Sequence, residues 1–548
     1  MMRLSGRTYD DVTASFRWEI PDRFNIAQAI CDRHVGQNRT AIIAEDTFGR
    51  TRSLTFEAVQ DLSRRLANAL AAQGIKRGDR IGILLPQCAE VLIAHLAAYR
   101  LGAIALPLFT LFGPEALGYR LNDSAAAVVI SDETGVQKVL DLGGSLEVAP
   151  LLVSLDECGL DGVLSWTKLL EQASSYHVMV DTAADDPALI IYTSGTTGNP
   201  KGALHAHRVL LGHLPGVQMP HEFFPQEGDR MWTPADWAWA GGLLDVLLPS
   251  LFYGIPVVAK RFAKFDPEEA FALLARHEIR NSFLPPTALK MMRQVTEPAR
   301  FGARLRSVAS GGERLGEEML DWGRSTFGLT MNEFYGQTEA NLLISSCASI
   351  MTSPPDAMGR AVPGHAIEIL DGEGRPVRVG DDGIIGVRAP DPVLFLRYWN
   401  KPDATADKFR NGWLLTGDIG RRDDDGFVWF QGRDDDIINS GGYRIGPSEI
   451  EDCLMGHPAV AMVAVVGVPD PLRGEIVKAC VVTRPEVERN QALAAEMQLF
   501  VKSRLSGHEY PRLIEFRDSL PMTVTGKIRR KDLRDEHVAK ATLHTNEV

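Results

Sequence analysis

Between Phe56 and Asp132 the chain changes its hydrophobic period from helix to strand and back several times. Phe56, Val59, Leu62, Leu66 and Leu70 recur at helical spacing, and the run stops at Gly74. Arg80–Leu85 (RIGILL) then reads as a short buried strand, and Glu90–Arg100 as a second helix ended by Gly102. Ile104–Pro107 reads as a strand, Glu115–Asn122 as a helix and Ala125–Asp132 (AAAVVISD) as another strand. Such alternation predicts an α/β fold in which helices cover a parallel sheet. Ligands in these folds lie beyond the carboxyl ends of strands, so the loop that follows Pro187–Tyr192 (PALIIY) is placed for chemistry.

That loop is TSGTTGNPKG, from Thr193 to Gly202. Gly195 and Gly198 allow successive backbone N–H groups to form a concavity for anions. Ser194, Thr196 and Thr197 add hydroxyl donors, and Lys201 adds a positive charge. A polyphosphate fits this description, against a plain polar surface turn as the alternative. A Walker loop would need GxxxxGK followed by Ser or Thr, whereas here Pro200 precedes Lys201 and Gly202 follows it.

With 548 residues the chain exceeds what one hydrophobic core usually serves. A net charge of −13 argues against a nucleic-acid partner, which usually meets a basic face. The six cysteines are scattered with no Cys/His cluster, as in a cytoplasmic protein with reduced thiols. The N-terminal segment lacks the apolar run of a secretory signal, and no stretch is long and apolar enough to span a bilayer. Near residue 433 the texture changes to a charged, glycine-rich connection, GRDDDIINSGGYRIG. AVAMVAVVGV, IVKACVV and LIEF follow as strands, with a helix around Ala494–Leu505. The expected organisation is a large N-terminal domain of layered α/β sheets, 1–433, and a small α+β domain, 434–548.

TSGTTGNPKG, YGQTE (Tyr335–Glu339), TGD (Thr416–Asp418), GRDDDIINSGGYRIGPSEIE (Gly432–Glu451) and PMTVTGK (Pro521–Lys527) follow one another in the order of the adenylate-forming superfamily. The chain resembles the acyl-CoA synthetases, adenylation domains and luciferases of that family over nearly its whole length. The resemblance implies a large domain with a small mobile C-terminal domain, and a reaction in two halves. A carboxylate attacks the α-phosphate of ATP and releases pyrophosphate, and a thiol then attacks the acyl-adenylate. Both halves build negative charge, which calls for placed cations and donors.

By the same resemblance, the Thr193–Gly202 loop covers the β- and γ-phosphates, Thr338 contacts the α-phosphate and Glu339 binds Mg2+. Gly312, Glu313 and Arg314, with Glu333, Phe334, Tyr335, Gly336 and Gln337, form the adenine side. Asp418 accepts from the ribose hydroxyls and Arg433 contacts the sugar or phosphate. Lys527 is the cation delivered to the α-phosphate and carboxylate during adenylation, and its segment is similar to those that lysine acetyltransferases modify. Asp435 matches the hinge, Gly441, Gly442 and Tyr443 the pantetheine tunnel, and Arg473 and Tyr510 the CoA nucleotide site. Arg444 serves as a second cation or as a structural pair.

For the acid, acetate-specific members carry a tryptophan where this chain has Gly336, which predicts room for a medium-chain, branched or arylalkanoic acid. Trp237 is the candidate pocket wall, with core packing as its alternative. A stand-alone adenylation enzyme that loads a carrier-protein thiol, and a catalytically silent nucleotide-binding protein, remain the other readings.

Overall fold

The computed structural model describes residues 2–193, 200–433, 436, 438–440, 443–470, 473–505, 510–523 and 527–545. Two compact units emerge. One comprises the described residues up to Thr193, Pro200–Ile367 and Arg388–Gly412, and the other Glu368–Val387 and the described residues from Trp413 on.

The first unit contains two large sheets among the described residues. One runs Arg397–Tyr398, Lys201–Ala206, Pro187–Thr193, Ile104–Pro107, Arg80–Leu84, Val128–Ser131, Leu151–Ser154, Val163–Ser165. Its strands from Arg80 to Thr193 are parallel, and the two at the Arg397 edge are antiparallel. The other sheet has a parallel centre of Thr40–Glu45, Val257–Lys260, Met231–Trp232, Asn281–Phe283, Ser307–Gly311 and Asn332–Gln337. Antiparallel strands flank it, Ala340–Ser345 and Arg360–Ala361 on one side and Thr51–Thr55 on the other. The α/β class expected from the alternation is therefore the one observed.

The expected helices form, with ends set by local chemistry. Phe56–Ala72 starts where the Thr55 hydroxyl accepts from Ala58 N–H, and Gly74 takes φ +90° just beyond it. Leu62 is only half-buried; Ser63 takes the place on the core stripe. Pro114–Ser124 ends at Ala125 in the left-handed region, φ +46°, so the strand expected from Ala125 begins only at Val128.

Helix Ala89–Arg100 is buried at every residue except Glu90 and packs on strands of both sheets. A helix with no polar face belongs inside a protein. Its last residue, Arg100, is 1% exposed, and its guanidinium is satisfied in place. Nη1 and Nη2 donate to the two Asp32 oxygens at 2.9 and 2.6 Å, and Nε donates to Ser63 Oγ at 3.0 Å. Hence a serine is needed on the stripe of the neighbouring helix.

In the second unit Ile367–Leu370, Asp382–Arg388, Trp413–Arg422 and Val428–Arg433 share one sheet. A further sheet contains Tyr443–Ile445, Ile438–Ser440, Gly474–Thr483, Val460–Asp470 and Leu513–Phe516. Val463, Val465, Ala479 and Val481 pack with Ile450, Leu454 and Met497 on one face of it. Ala464, Val466, Val468 and Cys480 pack with Leu520 and Leu533 on the other. Cover on both faces explains why AVAMVAVVGV is apolar without alternation. Among the described residues no helix is long and apolar enough to cross a membrane.

Arg100→Ala leaves the Asp32 carboxylate without its partner and should lower stability by about 3–5 kcal/mol in urea unfolding. Burial opposes ionisation of Asp32, but the Arg100 hydrogen bonds and charge outweigh it and hold the folded value below 3.8. The stabilisation is therefore complete above the ordinary aspartate range and is lost as pH falls through the lowered folded value. The gap between Arg100→Ala and its parent should narrow in acid.

Candidate active site

Strands Pro187–Thr193 and Lys201–Ala206 pair antiparallel, with Thr193 opposite Lys201. The base of the glycine-rich loop is thus fixed by a ladder, and the Thr193 hydroxyl donates to Lys201 O at 3.4 Å. Ser194, Gly195, Thr196, Thr197 and Gly198 lie outside the described residues.

The Lys201 ammonium stands 5.2 Å from the centre of the Tyr398 ring, a cation–π distance. Tyr398 is held opposite Ala203 by the edge pairing of Arg397–Tyr398, and its hydroxyl donates to Glu339 Oε1. Glu339 is 8% exposed, and its carbonyl accepts from Phe395 N at 2.9 Å. The loop lysine follows a strand end of one sheet and Glu339 follows a strand end of the other, so Tyr398 joins the two. Fifty-nine residues separate Tyr398 from Glu339, and no local pattern marks the tyrosine. Among the described residues no group of three His, Cys, Asp or Glu side chains could form a metal cage.

Around the end of Ser307–Gly311, Gly312 adopts φ +96° and Gly316 φ +76°, so the intervening loop turns out from the sheet. Glu313 is exposed and Arg314 pairs with Asp356. Glu333 reaches back to this loop, its Oε1 accepting from Leu315 N at 3.0 Å. Phe334 is buried, with its ring 5.2 Å from that of Phe283. Tyr335, Gly336, Gln337 and Thr338 are half-buried, and Gln337 Oε1 accepts from Lys408 at 3.4 Å. Register pairs Gly311 with Phe334, so SGGER and FYGQTE lie side by side at one sheet end.

Gly336 and Trp237, the two residues expected at the acyl pocket, are placed as follows. Gly336 does not leave a vacancy along its own side-chain direction. A Cβ there would stand 2.4 Å from Leu342 N, 2.5 Å from Asn341 Oδ1 and 2.7 Å from Asn341 Cα, so the glycine admits the returning strand. Trp237 is 1% exposed within the main core, and its indole N–H has no partner among the described residues. The half-buried tryptophan is Trp239, two residues on, whose ring sits 5.6 Å from Phe109 and 6.0 Å from Phe112. The sequence WAW offers both indoles, and only packing separates them.

In the second unit the structure brings Asp418 and Arg433 together. They are register partners on Trp413–Arg422 and Val428–Arg433, and Arg433 Nη1 donates to Asp418 Oδ1 at 3.1 Å. Thr416 steadies the turn, its hydroxyl accepting from Asp418 N at 3.1 Å and donating to Ile385 O at 2.7 Å. Gly417 between them has φ +80°.

Lys527 is exposed, and its backbone closes a turn with Thr523. Lys527 N–H donates to Thr523 Oγ1 at 3.0 Å and Thr523 N–H to Lys527 O at 2.7 Å. Arg530, three residues on, grips half-buried Glu451 with Nε and Nη2 at 3.1 and 2.7 Å, and Arg534 donates to Asp436 at 2.8 Å. Burial raises the Glu451 carboxyl despite Arg530, whose charge and hydrogen bonds pull it down. Sequence reasoning missed this anchoring of the lysine-bearing segment. Tyr510 lies between Lys502 and Arg512, at 5.2 and 5.1 Å from its ring, while Arg473 is exposed with its N–H on Asp470 at 2.9 Å. Asp435, Gly441 and Gly442, and the side chains of Tyr443 and Arg444, lie outside the described residues.

Residues 31–399 match the family of AMP-binding enzymes, and residues 449–527 match the AMP-binding enzyme C-terminal domain. The human mitochondrial acyl-coenzyme A synthetase ACSM2B is 35% identical over 538 residues, 95% of this chain and 93% of its own. The acyl-CoA ligase YtcI of Bacillus subtilis is 33% identical, covering 94% and 96%. Among solved structures, an acyl-CoA synthetase from Brucella canis aligns with TM-score 0.75 at 33% identity over 97% of this chain and 99% of its own. An anthranilate CoA ligase, AuaEII, solved with anthranoyl-AMP, reaches TM-score 0.86 at 27% identity, covering 95% and 99%.

Gly336→Ala places a methyl group against backbone atoms that cannot rotate away. It should destabilise the protein by about 1–3 kcal/mol, read as a lowered urea midpoint.

Proposed function

Because the chain belongs to the AMP-binding enzyme family, we propose that it is an ATP-dependent, AMP-forming acyl-CoA synthetase acting on a medium-chain, branched or arylalkanoic carboxylic acid. The carboxylate oxygen attacks the α-phosphorus of ATP, pyrophosphate leaves, and the CoA thiol then displaces AMP from the acyl-adenylate as its proton is lost. The observation that carries this reading is the Lys201–Tyr398–Glu339 chain at the carboxyl ends of two parallel sheets, where α/β folds hold their ligands. Acyl-CoA synthetase and CoA ligase relatives aligned over almost the full chain support the reaction class.

Lys201 neutralises the departing pyrophosphate, and Tyr398 keeps the Glu339 carboxylate turned toward the same region. Glu339 would hold Mg2+, a hard cation for which a carboxylate oxygen is a suitable ligand. Bound there, Mg2+ supplies charge neutralisation at the phosphates. Asp418 and Arg433 offer an acceptor and a cation for ribose and phosphate. We assign Lys527 to adenylation, and its support is an exposed ammonium on a backbone clamped by Thr523. Tyr510, set among Lys502 and Arg512, suits the phosphates of CoA. We place the boundary between the large and the small domain near 433/434, which the separate C-terminal family match supports.

Acid-dependent release of AMP and pyrophosphate from Mg-ATP, sustained only with CoA, is the expected result. Pyrophosphate exchange without CoA turnover would instead indicate an enzyme loading a carrier-protein thiol, and no nucleotide chemistry with any acid would sink both readings. Lys527→Ala should abolish adenylation while leaving thioester formation from supplied acyl-adenylate largely intact; equal loss of both halves would disprove its assignment. Tyr398→Phe removes one hydrogen bond to a charged group, worth about 1.5–3 kcal/mol. It should lower kcat/KM for ATP roughly tenfold to a hundredfold.

A further inference from the structure

The carboxyl end of helix Pro114–Ser124 takes part in a set of contacts that the reaction above leaves unexplained. An α-helix leaves its final carbonyls without intrahelical partners. Here Ser124 O and Ala125 O accept from Arg80 Nε and Nη2, both at 2.6 Å. Asp123 O accepts twice, from Trp399 Nε1 at 3.0 Å and from Asn400 Nδ2 at 2.9 Å. The Arg80 guanidinium also lies over the Trp399 ring, 5.6 Å from its centre. Trp399 and Asn400 directly follow Tyr398, the residue that joins Lys201 to Glu339.

The side chain of Asp123 bonds instead to the strand that leads into the glycine-rich loop. Its Oδ2 accepts from the Tyr192 hydroxyl at 2.6 Å, a distance typical of a carboxylate acceptor. Tyr192 is 3% exposed, immediately precedes Thr193 and is the register partner of Gly202. A Cβ at Gly202 would stand 3.1 Å from Tyr192 Cζ, so the ring lies against that glycine. Gly202 O in turn accepts from Trp399 N at 2.7 Å. The contacts close a circuit from Asp123 through Tyr192, Gly202 and Trp399 and back to Asp123. Lys201 and Tyr398 each precede a member of that circuit by one residue.

We propose that Asp123 is a positioning residue for adenylation. Its carboxylate holds the Tyr192 hydroxyl and its carbonyl holds the segment after Tyr398, and together they set the Lys201 ammonium in place for the phosphates. The inference rests on the ligase reading and adds to it a residue that acts through others. A lysine stem is flexible, so the placement of its ammonium depends on how firmly the backbone and the Tyr398 ring beneath it are held. A misplacement of about 1 Å costs about a hundredfold in rate. The cost falls on the half-reaction that releases pyrophosphate, whereas thioester formation from acyl-adenylate releases only AMP. A bond that served folding alone would weaken both halves alike.

Asp123→Ala in the full-length enzyme should lower kcat/KM for ATP in acid-dependent pyrophosphate release roughly tenfold or more, with thioester formation from supplied acyl-adenylate near the wild-type rate. Tyr192→Phe deletes the same bond, keeps the buried ring and should show the same selective loss, which decides the matter if the alanine variant does not fold. In a Lys201→Met background, Asp123→Ala should add little to the loss already present, because its effect runs through that lysine. Equal loss in both halves, unchanged pyrophosphate release in Asp123→Ala or Tyr192→Phe, or losses that multiply in the Lys201→Met background would overturn the inference and leave the ligase reading intact. No nucleotide chemistry by the wild-type enzyme with any acid would overturn both.

Discussion

A helix buried on every side sets the terms for the larger unit. Ala89–Arg100 has no face for water, so strands of both sheets must close on it. Closing on one helix brings the strand ends of the two sheets within reach of a single side chain, and Tyr398 spans them from Lys201 to Glu339. The same burial creates a problem at the helix end, where a guanidinium has lost its water. Asp32 and Ser63 satisfy it, and the apolar stripe of Phe56–Ala72 is interrupted by a serine for that reason.

Two half-buried acids and one buried acid show how partners decide charge. Asp32, met by both arms of Arg100, stays ionised below its ordinary range. Glu451 also meets an arginine, yet deeper burial leaves its carboxyl raised. Among the described residues Asp245 meets the Asn341 amide, with the His213 imidazole 4.0 Å away, and burial raises its carboxyl above the aspartate range. The first two tie segments together through charge. Burial pushes the third toward its neutral form.

The alternation of helix and strand was readable because each element repeats its period over several residues. Ile104–Pro107 and Leu513–Phe516 fall where their apolar runs placed them. TSGTTGNPKG, YGQTE and TGD drew notice in the sequence because each packs its unusual composition into consecutive residues. Pairing across distance was not readable. Tyr398 matters only through its edge strand, Arg530 only through Glu451 seventy-nine residues away, and Asp245 only through Asn341. Trp237 and Trp239 carry the same side chain in the same motif, and which one is enclosed depends on neighbours from other elements. Gly336 looked like missing bulk because a sequence records the absent indole and not the strand that fills its place.

The close passage of Asn341 beside Gly336 has a consequence for how such a chain can diverge. One residue touches both the backbone that forbids a side chain at 336 and the oxygen that anchors Asp245. Any change that moves the strand to admit bulk also disturbs the acid's hydrogen bond. Positions 245, 336 and 341 are therefore coupled, and bulk at 336 can be admitted only with a compensating change at its neighbours.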